Sequence, residues 1–221
     1  LKDRLDHLRG IIKTEKKVKV TELSQRFDVT EETIRRDLER LELEGLITRT
    51  HGGAVLKVEN MFDRLGYTHR SRTNVEEKKK IAQIVASIIP MQATLFADAS
   101  STVMEALTLM ADRDDITVLT NSIPVLSSLN QSGLNIMSTG GANNRVSCSL
   151  QGIIARSTIM NYHVDFVLTS CKGLKLDEGA YDSREGETEI KQLMISRGQK
   201  TIMMADHTKF DRTSFVKYCN F

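Results

Sequence analysis

The sequence predicts an α/β protein in two parts: a small helical domain closed by a β-hairpin, then a larger domain built on a parallel sheet. Three observations predict it. Residues 1–57 carry three short segments of helical periodicity, followed by two strand-like runs around a glycine pair. Residues 75–221 alternate apolar strand-like runs with amphipathic helical segments, the pattern of a Rossmann-like parallel sheet covered on both faces. Residues 58–74 lack periodicity, include Arg64, Arg70 and Arg72, and read as a linker.

In the first part, Leu5, Leu8, Ile11 and Ile12 recur at 3.6-residue spacing and predict one amphipathic helix. Lys13 to Lys19 reads as a polar, basic break. Thr21 is the expected N-cap of a second helix over 22–27, and Asp28 with Val29 makes a short turn. Thr30 caps a third helix from one side only, because Thr33 is not the Glu or Gln of a full capping box. Glu31 and Glu32 occupy its first turn, where the helix dipole favours acids. Ile34, Leu38 and Leu41 run down its inner face, and Gly45 is the expected terminator. Two helices joined by so short a turn form a helix-turn-helix, whose second helix enters the major groove. Strands at 46–50 and 54–56, turning at His51, Gly52 and Gly53, complete a wing.

In the second part, a helix is expected over 75–89, with Ile81, Ile84, Val85 and Ile88 on its inner face and Pro90 closing it. Strands are expected at 94–97, 116–119, 135–138, 164–168 and 201–204. Helices are expected at 102–111, 124–129, 152–161 and 185–197.

Composition limits the function classes. Hydrophobic residues are 40% and charged residues 27% of the 221, so a core can be buried and disorder is not the default. No run approaches the ~18 apolar residues of a membrane span. Cys148, Cys171 and Cys219 are odd in number and far apart, which fits reduced thiols of a cytoplasmic protein better than a disulfide framework or a zinc site. The net charge is +2, and residues 1–57 hold the whole excess, with 13 basic against 11 acidic residues. So small an excess leaves the pattern of residues to carry any case for nucleic acid.

That pattern places Thr30, Glu32, Thr33, Arg35 and Arg36 on the exposed side of the third helix, where such proteins reach base edges. Arginine suits guanine or phosphate because its planar fork donates two hydrogen bonds at once. Arg49 and His51 flank the wing turn and suit phosphate or the minor groove. An arginine pair that only neutralises neighbouring glutamates is the plainer reading of Arg35 and Arg36 alone; the helix-turn-helix and wing around them favour double-stranded DNA. RNA binding is disfavoured, since the module has only Phe27 as an aromatic for base stacking.

In the second part, the loop Asp98-Ala99-Ser100-Ser101-Thr102 lies between a strand and a helix N-terminus, an arrangement suited to anions. Thr120 with Asn121, and Gly140 with Gly141, follow the next two strands. Ligands of open α/β sheets bind at that edge. Helix capping alone is the competing account of Ser100, Ser101 and Thr102, and convergence of three loops favours a ligand. Lys172, Lys191 and Lys209 are candidate phosphate or hydroxyl partners; an exposed pair with Glu187, four residues back, is the equal alternative for Lys191. Cys171 reads as a buried small hydrophobe.

The string Thr33-Ile34-Arg35-Arg36-Asp37-Leu38, followed by Arg49-Thr50-His51-Gly52-Gly53-Ala54, resembles the signature of the DeoR family of bacterial regulators. The resemblance continues through Asp98 to Thr102, Thr120-Asn121, Gly140-Gly141, Glu187 to Lys191, and Asp206-His207-Thr208-Lys209-Phe210. It implies a winged helix-turn-helix, operator binding as a homo-oligomer (dimer or tetramer), repression of sugar or nucleoside metabolism genes, and a sensor domain similar to sugar-phosphate isomerases. The implied effector is a phosphorylated sugar, bound by Asp98, Ser100, Ser101, Thr102, Thr120, Asn121, Gly140, Gly141, Lys172, Gly173, Glu187, Lys191, Asp206 and Lys209, without metal or other cofactor. Two positions depart from the family pattern. Ser100 replaces a glycine, which puts close backbone approach to a phosphate in question. Ser170 to Gly173 replaces a more apolar stretch. Family members also continue through another strand and helix, so further chain is expected beyond Phe221, and a start at Leu1 implies chain before it. An isomerase-like enzyme is the alternative, with Asp98, Glu187 and His207 as conceivable acid–base groups. No complete catalytic set matches, and a DNA-binding module does not suit a metabolic enzyme.

Overall fold

A computed structural model describes residues 2–43, 47–56 and 66–221. The chain divides into two compact units, Leu1–Arg64 and Leu65–Phe221. The expected terminator Gly45, the start of the wing at Leu46 and most of the linker, Arg64 included, lie outside the described residues.

In the first unit, α1 (Lys2–Glu15) buries Leu8 and Ile12 completely. The expected break from Lys13 to Lys19 is not a break. α1 continues to Glu15, Lys16 turns the chain at φ 59°, and Lys17–Lys19 forms a strand, β1. Only Val18 of that strand is buried, so its alternation is too short to read from sequence; pairing with β3 creates it. α2 (Val20–Phe27) begins before the expected Thr21 cap. Lys19 takes the N-cap position without a side-chain bond, and the carbonyl of Gly52 in the wing turn accepts the Val20 N–H at 2.9 Å. Asp28 ends α2 in the left-handed region, a conformation that short polar side chains tolerate. α3 (Glu31–Leu43) is capped as expected, with Thr33 N–H donating to Thr30 Oγ1 at 3.3 Å. Ile34, Leu38 and Leu41 are fully buried. β2 (Ile47–Thr50) and β3 (Gly53–Leu56) pair antiparallel, giving a sheet in the order β1-β3-β2. Gly53 belongs to β3 rather than to the turn; a Cβ there would sit 1.9 Å from the Val18 carbonyl, so only glycine lets β1 approach.

In the second unit, the part of the expected linker that is described contains a helix, α4 (Tyr67–Arg72). α5 (Val75–Ile88) follows. Its inner face differs from the expected one: Lys78, Ala82 and Val85 are buried with Ile89 beyond the end, whereas Ile84 and Ile88 are 62% and 50% exposed. The helix carries two apolar stripes, and periodicity does not choose between them. β4 (Thr94–Ala97), α6 (Ser101–Leu109), β5 (Thr117–Thr120), α7 (Ile123–Ser128) and β6 (Asn135–Ser138) come next. A hairpin of β7 (Ala142–Asn144) and β8 (Ser149–Gln151) leads to α8 (Ile153–Met160) and β9 (Val164–Thr169). β10 (Gly173–Lys175), β11 (Gly179–Asp182), α9 (Glu185–Ser196), β12 (Gly198–Met203), a 3₁₀ turn (His207–Lys209) and β13 (Val216–Cys219) complete the chain.

The main sheet is parallel throughout, in the order β12-β9-β4-β5-β6. Its strands alternate between two cores. Leu95, Ala97, Val118 and Leu168 join residues of α5, α6 and α7 on one face; Phe96, Leu119 and Val167 join residues of α8 and α9 on the other. Apolar residues on both sides of each strand are what parallel sheets require. The carboxyl ends of β4, β5 and β6 therefore share one edge, and the polar loops expected to converge follow them.

Candidate functional site

On the first unit, Glu32, Arg35 and Arg36 are exposed on α3, Thr30 and Thr33 lie at its N-terminal end, and Arg49 and His51 are exposed on the wing. Glu32 ties the arginines down: its carboxylate lies 3.9 Å from Arg35 and 3.5 Å from Arg36, while Glu31 holds Arg35 at 2.6 Å. Such surface pairs are worth about 0.2–1 kcal/mol. The two arginines can therefore exchange a glutamate for a phosphate or a base edge at little cost. Asp37 is buried instead and accepts from Arg4 Nε at 2.7 Å, clamping α1 to α3. Lys17 and Lys19, exposed on β1, were not expected to form part of the wing sheet.

On the second unit, Asp98 is a buried hub at the end of β4. Its Oδ1 accepts from Ser100 N–H at 2.9 Å, and its Oδ2 accepts from Thr169 Oγ1 at 2.8 Å and Ser170 N–H at 3.0 Å. Lys191 Nζ lies 3.3 Å from the same oxygen and 2.6 Å from Asp182 Oδ2, and it donates to the Ser170 carbonyl. Lys191 is thus fully enclosed, not an exposed partner of Glu187. Burial opposes its charge, but Asp182 and Asp98 outweigh that and hold it protonated well above the usual lysine range. Burial likewise opposes ionisation of Asp182, and Lys191 overcomes it, keeping the carboxyl below its usual range. Burial pushes the neighbouring Cys171 thiol up to about 11, so it is a core residue and unreactive near neutrality.

Ser100 caps α6 by accepting the Val103 N–H at 3.2 Å, and Ser101 and Thr102 form the buried first turn. The backbone of Ser100, at φ −87°, is one any residue adopts, so serine in place of glycine brings no strain here. Arg70 on α4 donates to the Ala99 carbonyl of the same loop at 3.3 Å. Lys78 on α5 is buried and donates to the carbonyls of Arg70 and Thr73. Its pKa is lowered first by burial and then by the charge of Lys209, with Arg70 adding to it and Asp206 and Glu105 opposing. Arg70 thus reaches the loop that enters α6, and Lys78, held against the Arg70 carbonyl, lies close enough to Lys209 to feel its charge. Asp206 is buried and accepts from Thr208 N–H at 2.8 Å; burial alone would raise its pKa, but the Thr208 hydrogen bonds hold it low.

Arg70 and Lys78 were missed. Arg70 lay in an aperiodic stretch. Lys78 did carry a signal: it shares a helical stripe with Ala82, Val85 and Ile89, the placement of a residue facing the core.

Thr120 is buried, donating to the Ala97 carbonyl at 2.7 Å and accepting from Ser122 N–H. Asn121 is buried beside it, and Asn121 Nδ2 donates to the Leu150 carbonyl of β8 at 3.1 Å. Glu187 accepts from Ser149 Oγ at 2.6 Å and from Gln151 Nε2, so it anchors the hairpin. Gly140 and Gly141 turn the chain into that hairpin with φ of 65° and 114°; a Cβ on Gly141 would meet the Gln151 carbonyl at 2.5 Å. Lys172 and Gly173 lie at the small antiparallel sheet β10-β11-β13, where Lys172 helps hold the Asp182 carboxyl low and Gly173 packs against the Arg212 carbonyl. His207 is exposed. Of the conceivable acid–base groups, Asp98 and Glu187 are thus committed to separate hydrogen-bond networks.

A helix-turn-helix with a wing, joined to a doubly covered parallel sheet with a polar carboxyl edge, defines a class: transcriptional regulators with a sensor domain. The chain belongs to the DeoR family of transcriptional regulators. Residues 4–60 match the DeoR-like helix-turn-helix domain and residues 73–221 the DeoR C-terminal sensor domain. It is 37% identical to the uncharacterized HTH-type transcriptional regulator YulB of Bacillus subtilis, over 96% of this chain and 82% of that protein. It is 33% identical to the L-fucose operon activator of Haemophilus influenzae, over 91% and 80%, and 32% identical to the HTH-type transcriptional repressor GlcR of Bacillus subtilis, over 98% and 83%. The helix-turn-helix implies DNA as a partner and the sensor domain a small-molecule effector. No helix among the described residues is long and apolar enough to cross a membrane.

Proposed function

We propose that the protein is a cytoplasmic repressor of sugar or nucleoside metabolism genes whose operator binding responds to a phosphorylated sugar. It carries no cofactor and turns over no substrate. The observation that carries the effector reading is Arg70 bound to the loop that enters α6, with Lys78 held against the Arg70 backbone and Lys209 near enough to act on its charge, beside the N-terminus of a helix. Cations and a positive helix end together attract a dianion. In this reading the phosphate sits there, and the sugar extends along the carboxyl edge towards Thr120, Asn121, Gly140 and Gly141. Asp98, Glu187, Lys191 and Asp206 hold the loops in place, and Lys172 with Gly173 supports the far side. On DNA, Arg35 and Arg36 leave Glu31 and Glu32 for phosphate or guanine, Thr30, Glu32 and Thr33 face the bases, and Arg49 with His51 contacts the backbone beside the wing. Paired half-sites call for a homo-oligomer, a dimer or tetramer.

Repression is favoured by the likeness to a named repressor, and a named activator among the relatives makes its direction the point to test. A thermal-shift screen of sugar phosphates against their unphosphorylated parents tests the effector. A ligand that binds only the folded state raises the melting temperature. A rise with a phosphorylated sugar and not with its parent is expected; equal shifts for both would refute the anion site.

A further inference from the structure

We infer that β1 is a phosphate-gripping strip: Lys17 and Lys19 hold the backbone of double-stranded DNA beside the wing without reading its bases. This rests on the DNA-binding reading of the first unit and adds a contact surface outside α3 and the wing turn.

The surface follows from strand alternation. Val18 pairs with Ala54, and both are buried, so that row faces the aliphatic core. The rows on either side face outward. One joins Lys17, Val55 and Thr48, and the other joins Lys19, Gly53 and Thr50. The outer face of the wing sheet therefore presents two lysines and two threonines, all four exposed, and no acid.

The two charges are available. Lys17 has no ion-pair partner among the described residues. Lys19 lies 2.9 Å from Glu22, with the two side chains 65% and 61% exposed. A pair that open to water is weak, so Lys19 exchanges glutamate for phosphate as readily as Arg35 and Arg36 do. Glu15, the acid that precedes β1 in the chain, is already paired with Arg26 at 2.7 Å.

Position selects the partner. Lys19 directly precedes α2, whose first N–H, that of Val20, donates to the Gly52 carbonyl of the wing turn at 2.9 Å. Lys19 also pairs with Gly53, and neighbouring strands lie about 4.8 Å apart. It thus stands beside the wing turn, and a duplex that meets Arg49 and His51 there meets Lys19 as well. Lys17 lies about 6.6 Å further along the same face and lengthens the contact. A lysine ammonium is a point charge with rotatable donors, which suits phosphate oxygens. Phosphate contacts hold a protein on the duplex and carry no sequence information themselves. In this arrangement α3 chooses the site and β1 tightens the hold on any DNA.

The test needs no operator. Fluorescence anisotropy follows the full chain binding a labelled duplex DNA of arbitrary sequence, about 20–30 base pairs long, between about 50 and about 200 mM salt. Each neutralised phosphate contributes about 0.9 to the slope of log affinity against log salt. The double variant Lys17→Ala with Lys19→Ala is expected to lower that slope by about 2, so its affinity gap to wild type narrows about tenfold across the range. Lys17→Arg with Lys19→Arg is expected to keep the slope, and the melting temperatures of both variants to stay at the wild-type value. Lys79→Ala with Lys80→Ala removes the same charge from an exposed helix face of the second unit and is expected to leave the slope alone. An unchanged slope in the alanine variant of β1 overturns the inference and leaves the lysines as guards of a sheet edge. An equal fall in the Lys79 and Lys80 variant overturns it too, in favour of net charge. If wild-type protein shows no salt-dependent affinity for the duplex, the DNA-binding reading itself fails.

Discussion

The two units use charge in opposite ways. In the first, the core is aliphatic and the charges face outward; Asp37 is the single buried polar or charged residue there among those described, paired with Arg4. In the second, lysines, aspartates, hydroxyls and amides are drawn inside, to the carboxyl ends of the parallel strands. A surface that must meet a long polyanion keeps its arginines on weak, exchangeable pairs. A pocket that must distinguish small polar molecules needs fixed groups, and fixing them requires buried partners. The difference separates a unit whose business is outside from one whose business is within.

This contrast predicts a graded set of effects. The largest belongs to Lys191→Met. It leaves the carboxylates of Asp98 and Asp182 buried without their cation, and the second unit is expected to lose about 3–5 kcal/mol in chemical denaturation. A loss below about 1 kcal/mol would mean the buried network holds nothing together.

Next is Arg36→Ala, whose side chain is 76% exposed. Specific operator binding, followed by fluorescence anisotropy, should weaken by about 1–3 kcal/mol while the melting temperature stays put. Unchanged specific affinity would move the recognition surface elsewhere.

A pH titration of stability sharpens the comparison further. The folded Asp182 carboxyl lies below its ordinary 3.8, so its contribution is present above that value and is lost as pH falls through the lower folded pKa. The folded Lys191 lies well above its ordinary 10.5, so its contribution is intact below that value and is lost only as pH rises through the higher folded pKa. The second unit should therefore show no stability change from this pair between those limits; a step near neutrality would contradict the assignment. The smallest effect is Arg35→Ala. It breaks an exposed pair with Glu31 and should change folding stability by less than about 0.5 kcal/mol, measured by thermal unfolding.

Sequence patterns disclosed what repeats often enough to be seen. Ile34, Leu38 and Leu41 announce α3, and the apolar runs of β4, β5 and β9 announce the sheet. Three-residue strands do not repeat. β1 has one buried residue between two lysines, and β7, β8 and β10 exist because a partner strand lies alongside. The same limit applies to the site. Asp98 and Asn121 were legible because they follow strands directly, and Thr120 because it ends one. That Lys191 turns inward to Asp182 was not, because a Glu and a Lys four apart on a helix look like a surface pair until tertiary contacts choose otherwise. Among Lys78, Lys79 and Lys80, three consecutive lysines, only the stripe shared with Ala82 and Val85 marks the one that goes inside.

The most direct test of the account joins its two halves in one experiment: operator affinity of the full chain, by fluorescence anisotropy at fixed salt, with and without the sugar phosphate that raises the melting temperature. Linkage requires that an effector coupled to DNA binding change operator affinity by the same factor by which DNA changes effector affinity. The account predicts weaker operator binding with the phosphorylated sugar and no change with its unphosphorylated parent. Operator affinity indifferent to a sugar phosphate that demonstrably binds would contradict it.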